Sequence, residues 1–234
     1  MQIAANEAEI RSLIESGEIH IEGRLVDASN ATLLGRIGEE IAVIYKPIAG
    51  ERPLWDFPSG NLASREIAAF LLSEKAGFGL VPFTVMRDGP YGMGAVQQWI
   101  TIDEELDVID FAAQDDPQLR AMTLFDAIIN NTDRKYGHIL MSESGKLYGC
   151  DHGVTFHEED KLRTVLWQWA GSTLNTAEIA QLNFIRDHIL TWKLETLITT
   201  TEIGAVISRI DRLLQENLFP MPNPQWPAIP WPPY

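Results

Sequence analysis

The spacing of apolar residues changes period once along this chain, and that change limits the folds open to it. From Ile19 to Tyr45 the sequence alternates as strands do, in HIEGRLV, ATLLGRI and EIAVIYKP. DASNAT, between the first two, predicts a tight polar turn at a hairpin tip. After a Pro- and Gly-punctuated loop at 49–60, NLASREIAAFLLSEKAG reads as a helix closing on Gly77. GLVPFTVM and GMGAVQQWI predict two more strands around the turn RDGPYG. Beyond them the pattern is helical. Leu119, Met122, Leu124, Phe125, Ile128 and Ile129 recur at helical spacing, as do Ile203, Val206, Ile207, Ile210, Leu213 and Leu214. Asn6 with Glu9, and Asn175 with Glu178, mark capped helix starts; the second opens a helical stretch running to Ile198.

Strands in one block and helices in another predict an α+β fold of two lobes. The strand-rich lobe with its one inserted helix takes residues 1–98, and the mostly helical lobe takes 99–218, with the seam near Gln97 to Asp103. Residues 219–234 are rich in Pro and Trp. They are expected to fold back as an extended strap with Trp226 and Trp231 on the body, the alternative being a ligand for a proline-recognising domain.

Composition narrows the function. A chain of 234 residues buries a real core, and no run approaches the roughly 18 apolar residues of a membrane span. MQIAANEAEIRSLIESG lacks a basic region followed by an apolar stretch, so a secretory signal is not expected and the predicted location is cytoplasmic. Cys150 is the single cysteine, which excludes an internal disulfide. A formal charge of −15 makes nucleic acid an improbable partner, and stable anchoring on an anionic membrane another.

The chemistry concentrates in NNTDRKYGHIL, Asn130 to Leu140, directly after the apolar TLFDAII. Five residues fall in a meaningful order. Lys46 ends the strand AVIYKP, and Glu66 lies on the following helix. Asp133 opens the polar loop, His138 comes five residues later, and Asp151 begins DHG after the strand KLYG. Phosphoryl transfer from a nucleotide needs such a set: a strand lysine against phosphate charge, a helix glutamate to hold it, a loop aspartate for the acceptor hydroxyl, and an Asp-x-Gly aspartate for metal. Because the chemistry asks for positioning and charge stabilisation, residue types and their order carry much of the signal.

NTDRKYGHIL and CDHGVTF resemble the catalytic and metal-binding loops of the phosphatidylinositol 3-/4-kinase-like superfamily, type II phosphatidylinositol 4-kinases in particular. YKP, SREIAAFLL and VPFTV extend the resemblance over roughly residues 24 to 160, and the whole chain is similar to a group of short actinobacterial kinase-like proteins. The resemblance implies a two-lobed protein-kinase-like fold that binds ATP with Mg²⁺ in the cleft. Carried over residue by residue, it makes Asp133 and the adjoining Arg134 catalytic, and Asp151 and His138 metal ligands. Lys46 and Glu66 would anchor the ATP phosphates. Ser29, Asn30 and Thr32 would form the phosphate-covering turn, and Gln97, Gln98 and Trp99 the linker that meets adenine. The family has Asn where this chain has His138, and imidazole suits Mn²⁺ or Zn²⁺ better than Mg²⁺. The expected partners are thus ATP and a hydroxyl acceptor, with a protein or small molecule favoured over an inositol lipid.

Each piece alone has a plainer explanation. Asp133 suits a turn, Lys46 a solvated strand edge, Glu66 a helix surface, and His138 a local carbonyl. Their joint order favours the kinase-like reading. His152 and His157 with Asp133 and Asp151 would suggest a metal hydrolase, but no tight ligand motif supports it. A nucleotide-binding pseudokinase is the main alternative, on the grounds of His138 and the glycine-free turn. An interaction protein working through the tail is a third reading.

Overall fold

The computed structural model describes residues 6–25, 30–52, 54, 56, 57 and 59–234. Helix α1 (Glu7–Ser16) starts at a reciprocal cap between Asn6 and Glu9. Strands β1 (Ile19–Arg24), β2 (Leu33–Ile37) and β3 (Ile41–Pro47) follow, then α2 (Leu62–Lys75), β4 (Thr84–Gly89) and β5 (Gly92–Gln98). The five strands form one antiparallel sheet in the order β1-β2-β3-β5-β4. Of the predicted DASNAT turn, 27–32, residues 27–29, Ser29 included, lie outside the described residues; Leu25 N–H donates to the Thr32 carbonyl at its base (2.9 Å).

The two faces of this sheet have different tasks. Val43 and Tyr45 of β3 and Val96 of β5 pack with Ile14 of α1 on one face. Strand alternation turns Lys46 to the other face, where its register partner Ala95 packs with Ala63 and Ile67 of α2. Helix α2 also sends Ala68, Ala69, Phe70 and Leu72 into the larger helical core, so ten of its 14 residues are buried.

That larger core belongs to α3 (Val108–Ala112), α4 (Pro117–Ile129), α5 (Thr176–His188) and α6 (Thr200–Glu216), with the small hairpin of β6 (Ile139–Met141) and β7 (Leu147–Gly149). Helix α4 begins at Asp116, whose carboxylate caps Gln118 and Leu119, with Pro117 in the first turn. It ends at Asn130, in the left-handed region (φ 53°). The Asn130 amide donates to the carbonyls of His157 (2.9 Å) and Glu159 (2.5 Å) and accepts from Lys161 N–H (3.0 Å), so one residue stops the helix and holds a distant loop.

Three expectations are corrected in detail. The strand expected from Gly79 begins only at Thr84, because Leu80 and Val81 donate to Ser73 Oγ (2.9 and 3.2 Å) and Pro82 has no N–H. The helical stretch expected to reach Ile198 stops at His188, where the His188 and Thr191 side chains take backbone carbonyls (2.8 and 2.6 Å) and short 3-10 turns follow. Helix α3 was not legible in the apolar pattern. In the tail, Trp226 lies under the Lys161 and Arg163 side chains, whereas Trp231 stays 87% exposed and Pro230 is buried.

Asn130 gives a direct test. Asn130→Gly and Asn130→Ala both lose the three side-chain hydrogen bonds, but only alanine must also adopt the left-handed backbone, at about 1 kcal/mol. Urea unfolding should therefore find the alanine variant the less stable by about that amount.

Candidate active site

Four elements bring charged side chains to one place: the end of β3, the middle of α2, the loop after α4 and the loop after β7. Lys46 Nζ donates to Glu66 Oε1 and to Asp151 Oδ1, the latter at 2.9 Å. The other oxygen of Glu66 accepts from His152 N–H (3.0 Å), so this buried carboxylate ties the β3 lysine to the loop carrying Asp151. Gly153 lets that loop lie against α2, for a Cβ there would stand 3.2 Å from Leu62 Cβ and 3.6 Å from Glu66 Oε1. Asp151 itself has φ 59°, a conformation Asp tolerates better than most residues.

Across from it, Asp133 follows a turn closed by its own N–H on Asn131 Oδ1 (3.0 Å). His138 Nδ1 lies 2.8 Å from the Asp133 carbonyl. A carbonyl only accepts, so Nδ1 carries the proton and Nε2 presents its lone pair, 3.5 Å from Asp151 Oδ2. Among the described residues, donor atoms of Asp133, His138 and Asp151 lie within 4.8 Å of one another, a set that fits a divalent cation with mixed oxygen and nitrogen preference.

The local electrostatics follow from burial and pairing. Burial alone would lower the Lys46 pKa, but the Asp151 and Glu66 carboxylates outweigh it and hold the ammonium above its usual range. Lys46 in turn keeps the Asp151 carboxyl well below the ordinary carboxylate range, although this side chain is 51% exposed. Burial raises the Asp133 carboxyl, opposed by Lys135 and His138. The His138 imidazole is pushed down by burial, so it is neutral near pH 7 and its ligand lone pair is free.

Arg134 is placed differently from its neighbour. The resemblance makes it catalytic, but its side chain is 0% exposed and all five donors are spent inside the protein. Nε and Nη2 grip the two Asp126 oxygens (2.9 and 2.8 Å), Nη1 donates to the carbonyls of His138 (3.1 Å) and Cys150 (3.2 Å), and Nη2 meets His152 Nε2 at 2.9 Å. It sits beneath both loops and positions them. Because arginine only donates, His152 Nε2 accepts, leaving its proton on Nδ1, which is buried with no hydrogen-bond partner. Burial holds the His152 pKa well below its usual value. Cys150 packs at the strand end, its thiol pushed up to about 12 by burial.

The remaining predicted residues are not part of this cluster. Asn30 Oδ1 accepts from Arg52 N–H (2.8 Å), and Thr32 is buried at the hairpin base. Gln97 is buried with its amide on Thr84 Oγ1 (2.9 Å); the N–H groups of Gln98 and Trp99 donate to Phe83 and Ala42 carbonyls (2.8 and 3.1 Å). Sequence reasoning passed over Lys135, whose Nζ stands 3.3 Å from Asp133 Oδ2, and Asp126, the counter-charge of Arg134. A carboxylate inside the apolar run TLFDAII was the available signal for the second. A cavity of about 340 Å³ lies elsewhere, between α1, the end of α2 and the β6–β7 hairpin, and contains none of the clustered carboxylates. The charged cluster, where the chemistry-bearing groups converge, is the candidate site.

Removing one member of the buried pair leaves the other uncompensated. Asp126→Ala should cost about 3–5 kcal/mol in chemical denaturation. In a double-mutant cycle with Arg134→Met, the two losses should fall short of additive by at least about 1 kcal/mol.

No family model matches the chain. Solved structures of the Golgi casein kinase share its kinase-like α+β fold. One matches with a TM-score of 0.57 at 12% identity, covering 91% of this chain and 75% of that one. The same kinase with Mn/ADP bound gives 0.58 at 13% identity, covering 91% and 76%. Among the described residues no helix is long and apolar enough to cross a membrane. Protein Rv2133c of Mycobacterium tuberculosis is 39% identical over 262 residues, covering 94% of this chain and 94% of that protein, and the chain belongs to its family.

Proposed function

We propose that this protein is an ATP- and divalent-metal-dependent phosphotransferase of the phosphatidylinositol 3-/4-kinase-like type, with a hydroxyl compound as acceptor. The carrying observation is Lys46 bonded to both Glu66 and Asp151, with Asp133 and His138 completing the carboxylate–imidazole group beside them. The Mn/ADP-bound Golgi casein kinase of like fold supports nucleotide binding. In this reading the lobes are residues 1–98 and 99–218, and the nucleotide lies between them.

The residues divide the work. Lys46 meets nucleotide phosphate, and Glu66 keeps it there. Asp133 orients the acceptor and takes its proton, as suits a carboxyl raised by burial. The acceptor oxygen bonds to the γ-phosphorus as the bond from that phosphorus to the β,γ-bridging oxygen breaks, and ADP leaves. Lys135, beside Asp133, faces the transferred group. Asp151 and His138 would hold the divalent ion, which supplies charge neutralisation on the phosphoryl oxygens. The resemblance would have the turn of Ser29, Asn30 and Thr32 cover the phosphates and the chain near Trp99 border adenine. The acidic surface favours a protein or small-molecule acceptor over an inositol lipid in an anionic membrane.

A nucleotide-binding pseudokinase is the second reading, favoured by Lys46 already engaging Asp151 and by imidazole at position 138. Calorimetry of ATP with Mn²⁺, Mg²⁺ or neither separates the outcomes. Wild type should bind only with metal and prefer Mn²⁺; Asp151→Asn should weaken binding at least about tenfold, and His138→Asn should move the preference toward Mg²⁺. Asp133→Asn should keep binding and lose turnover of ATP. A well-folded wild type that binds no nucleotide would sink both readings.

A further inference from the structure

Asp133 is flanked by backbone that the chain has already covered with itself. Arg163–Val165 runs parallel to the loop carrying Asp133: Arg163 N–H donates to Asn131 O (3.0 Å), Arg134 N–H to Arg163 O (3.1 Å), and Val165 N–H to Arg134 O (3.1 Å). In such a ladder alternate N–H groups point to opposite sides, so that of Thr164 faces outward. It donates to the tail carbonyl of Ala228 (3.0 Å), which also accepts from Trp167 Nε1 (2.9 Å). Upstream, Trp226 is held under the cations of Lys161 and Arg163, and the Asn223 amide donates to the Asp160 carbonyl (3.2 Å). Downstream, Tyr136 N–H donates to Pro233 O (2.9 Å), and the Tyr234 ring borders Gly137, next to His138. The tail is therefore bonded both to the strip beside Asp133 and to the loop between Asp133 and His138.

An extended polypeptide gains affinity at an enzyme surface by adding its backbone to a free edge. At Thr164 that edge is taken. We propose that Trp226–Tyr234 forms the acceptor-side wall of the site, excludes extended polypeptides, and selects a compact hydroxyl compound as acceptor. This rests on the phosphotransferase reading and narrows it: of a protein or a small molecule, the small molecule is the acceptor. The aromatic and proline content of the tail serves that wall, since Pro cannot offer N–H groups to an incoming strand and stays extended.

The test uses two full-length variants and one truncation. Trp167→Phe removes one anchor of Ala228, and Trp226→Ala removes the cation contacts; neither residue touches the charged cluster. A chain ending at Gln225 is the third protein. Calorimetry with ATP and Mn²⁺ reports whether the site is intact, and hydrogen exchange at Thr164 and Tyr136 reports whether the tail has lifted. The acceptor probe is an unstructured serine- and threonine-rich peptide mixture with labelled ATP. Wild type should leave the peptides unlabelled, and the Trp167→Phe/Trp226→Ala double variant should label them at least tenfold faster with ATP affinity within twofold of wild type. Equal labelling by wild type overturns the proposal. So does an absence of labelling by every tail-released protein that binds ATP normally and exchanges Thr164 N–H freely. Exchange at Thr164 and Tyr136 as fast in wild type as in an unprotected loop would also overturn it. Failure of wild type to bind ATP would instead remove the phosphotransferase reading itself.

Discussion

Everything at the site depends on a guanidinium buried beneath it. Taking Arg134 out of water costs several kcal/mol unless its charge and all five donors are answered. Asp126 supplies the charge from within α4. The loop carbonyls of His138 and Cys150, with the His152 ring, take the other donors. The cost is recovered only when α4, the Asp133 loop and the Asp151 loop are all in place. A group that must be fully paired therefore fixes the spacing of two carboxylates that touch it only through backbone. Gly149 belongs to the same constraint, because a Cβ there would stand 2.9 Å from Arg134 Nη1.

Above that foundation, α2 passes the arrangement on to the sheet. It packs into both cores, and Glu66 in its middle reaches Lys46 on one side and His152 N–H on the other. Moving α2 would thus move the lysine and the Asp151 loop together. The formal charges of Lys46 and Lys135 against those of Glu66, Asp133 and Asp151, with His138 neutral, leave the cluster at about −1. A triphosphate is repelled by that balance and a divalent cation is drawn to it. That balance is why the proposed nucleotide binding is expected to require a metal ion.

Lys46, Glu66, Asp133 and Asp151 were legible only as a set: each alone is ordinary where it stands, and it is their order on successive strand, helix and loop segments that marks them. The sheet and the long helices were legible from period and caps. What could not be seen was direction. Arg134 and Asp133 are adjacent, yet one points into the core and the other toward His138 and Asp151, and only the partner Asp126 decides which. Lys135 was hidden for the opposite reason, since a lysine in a polar loop looks like any other in sequence. The tail register was invisible because its contacts with Thr164 and Tyr136 are through backbone, which leaves no mark in residue type.

The stretch NNTDRKYGH is polar mainly on behalf of the fold. Asn130 holds residues 157–161, Asn131 bonds Asp126 and the Asp133 N–H, Thr132 bonds the Val154 carbonyl, and Arg134 fills the core. These residues are buried in a segment with little regular structure, where side chains must satisfy backbone groups that a helix or sheet would have paired. Asp133, Lys135 and His138 are the residues of the stretch that the proposed chemistry would use. A loop that must hold charges at fixed distances near solvent needs about as many polar residues to brace it as to act, and the braces are what make the acting groups rigid enough to use.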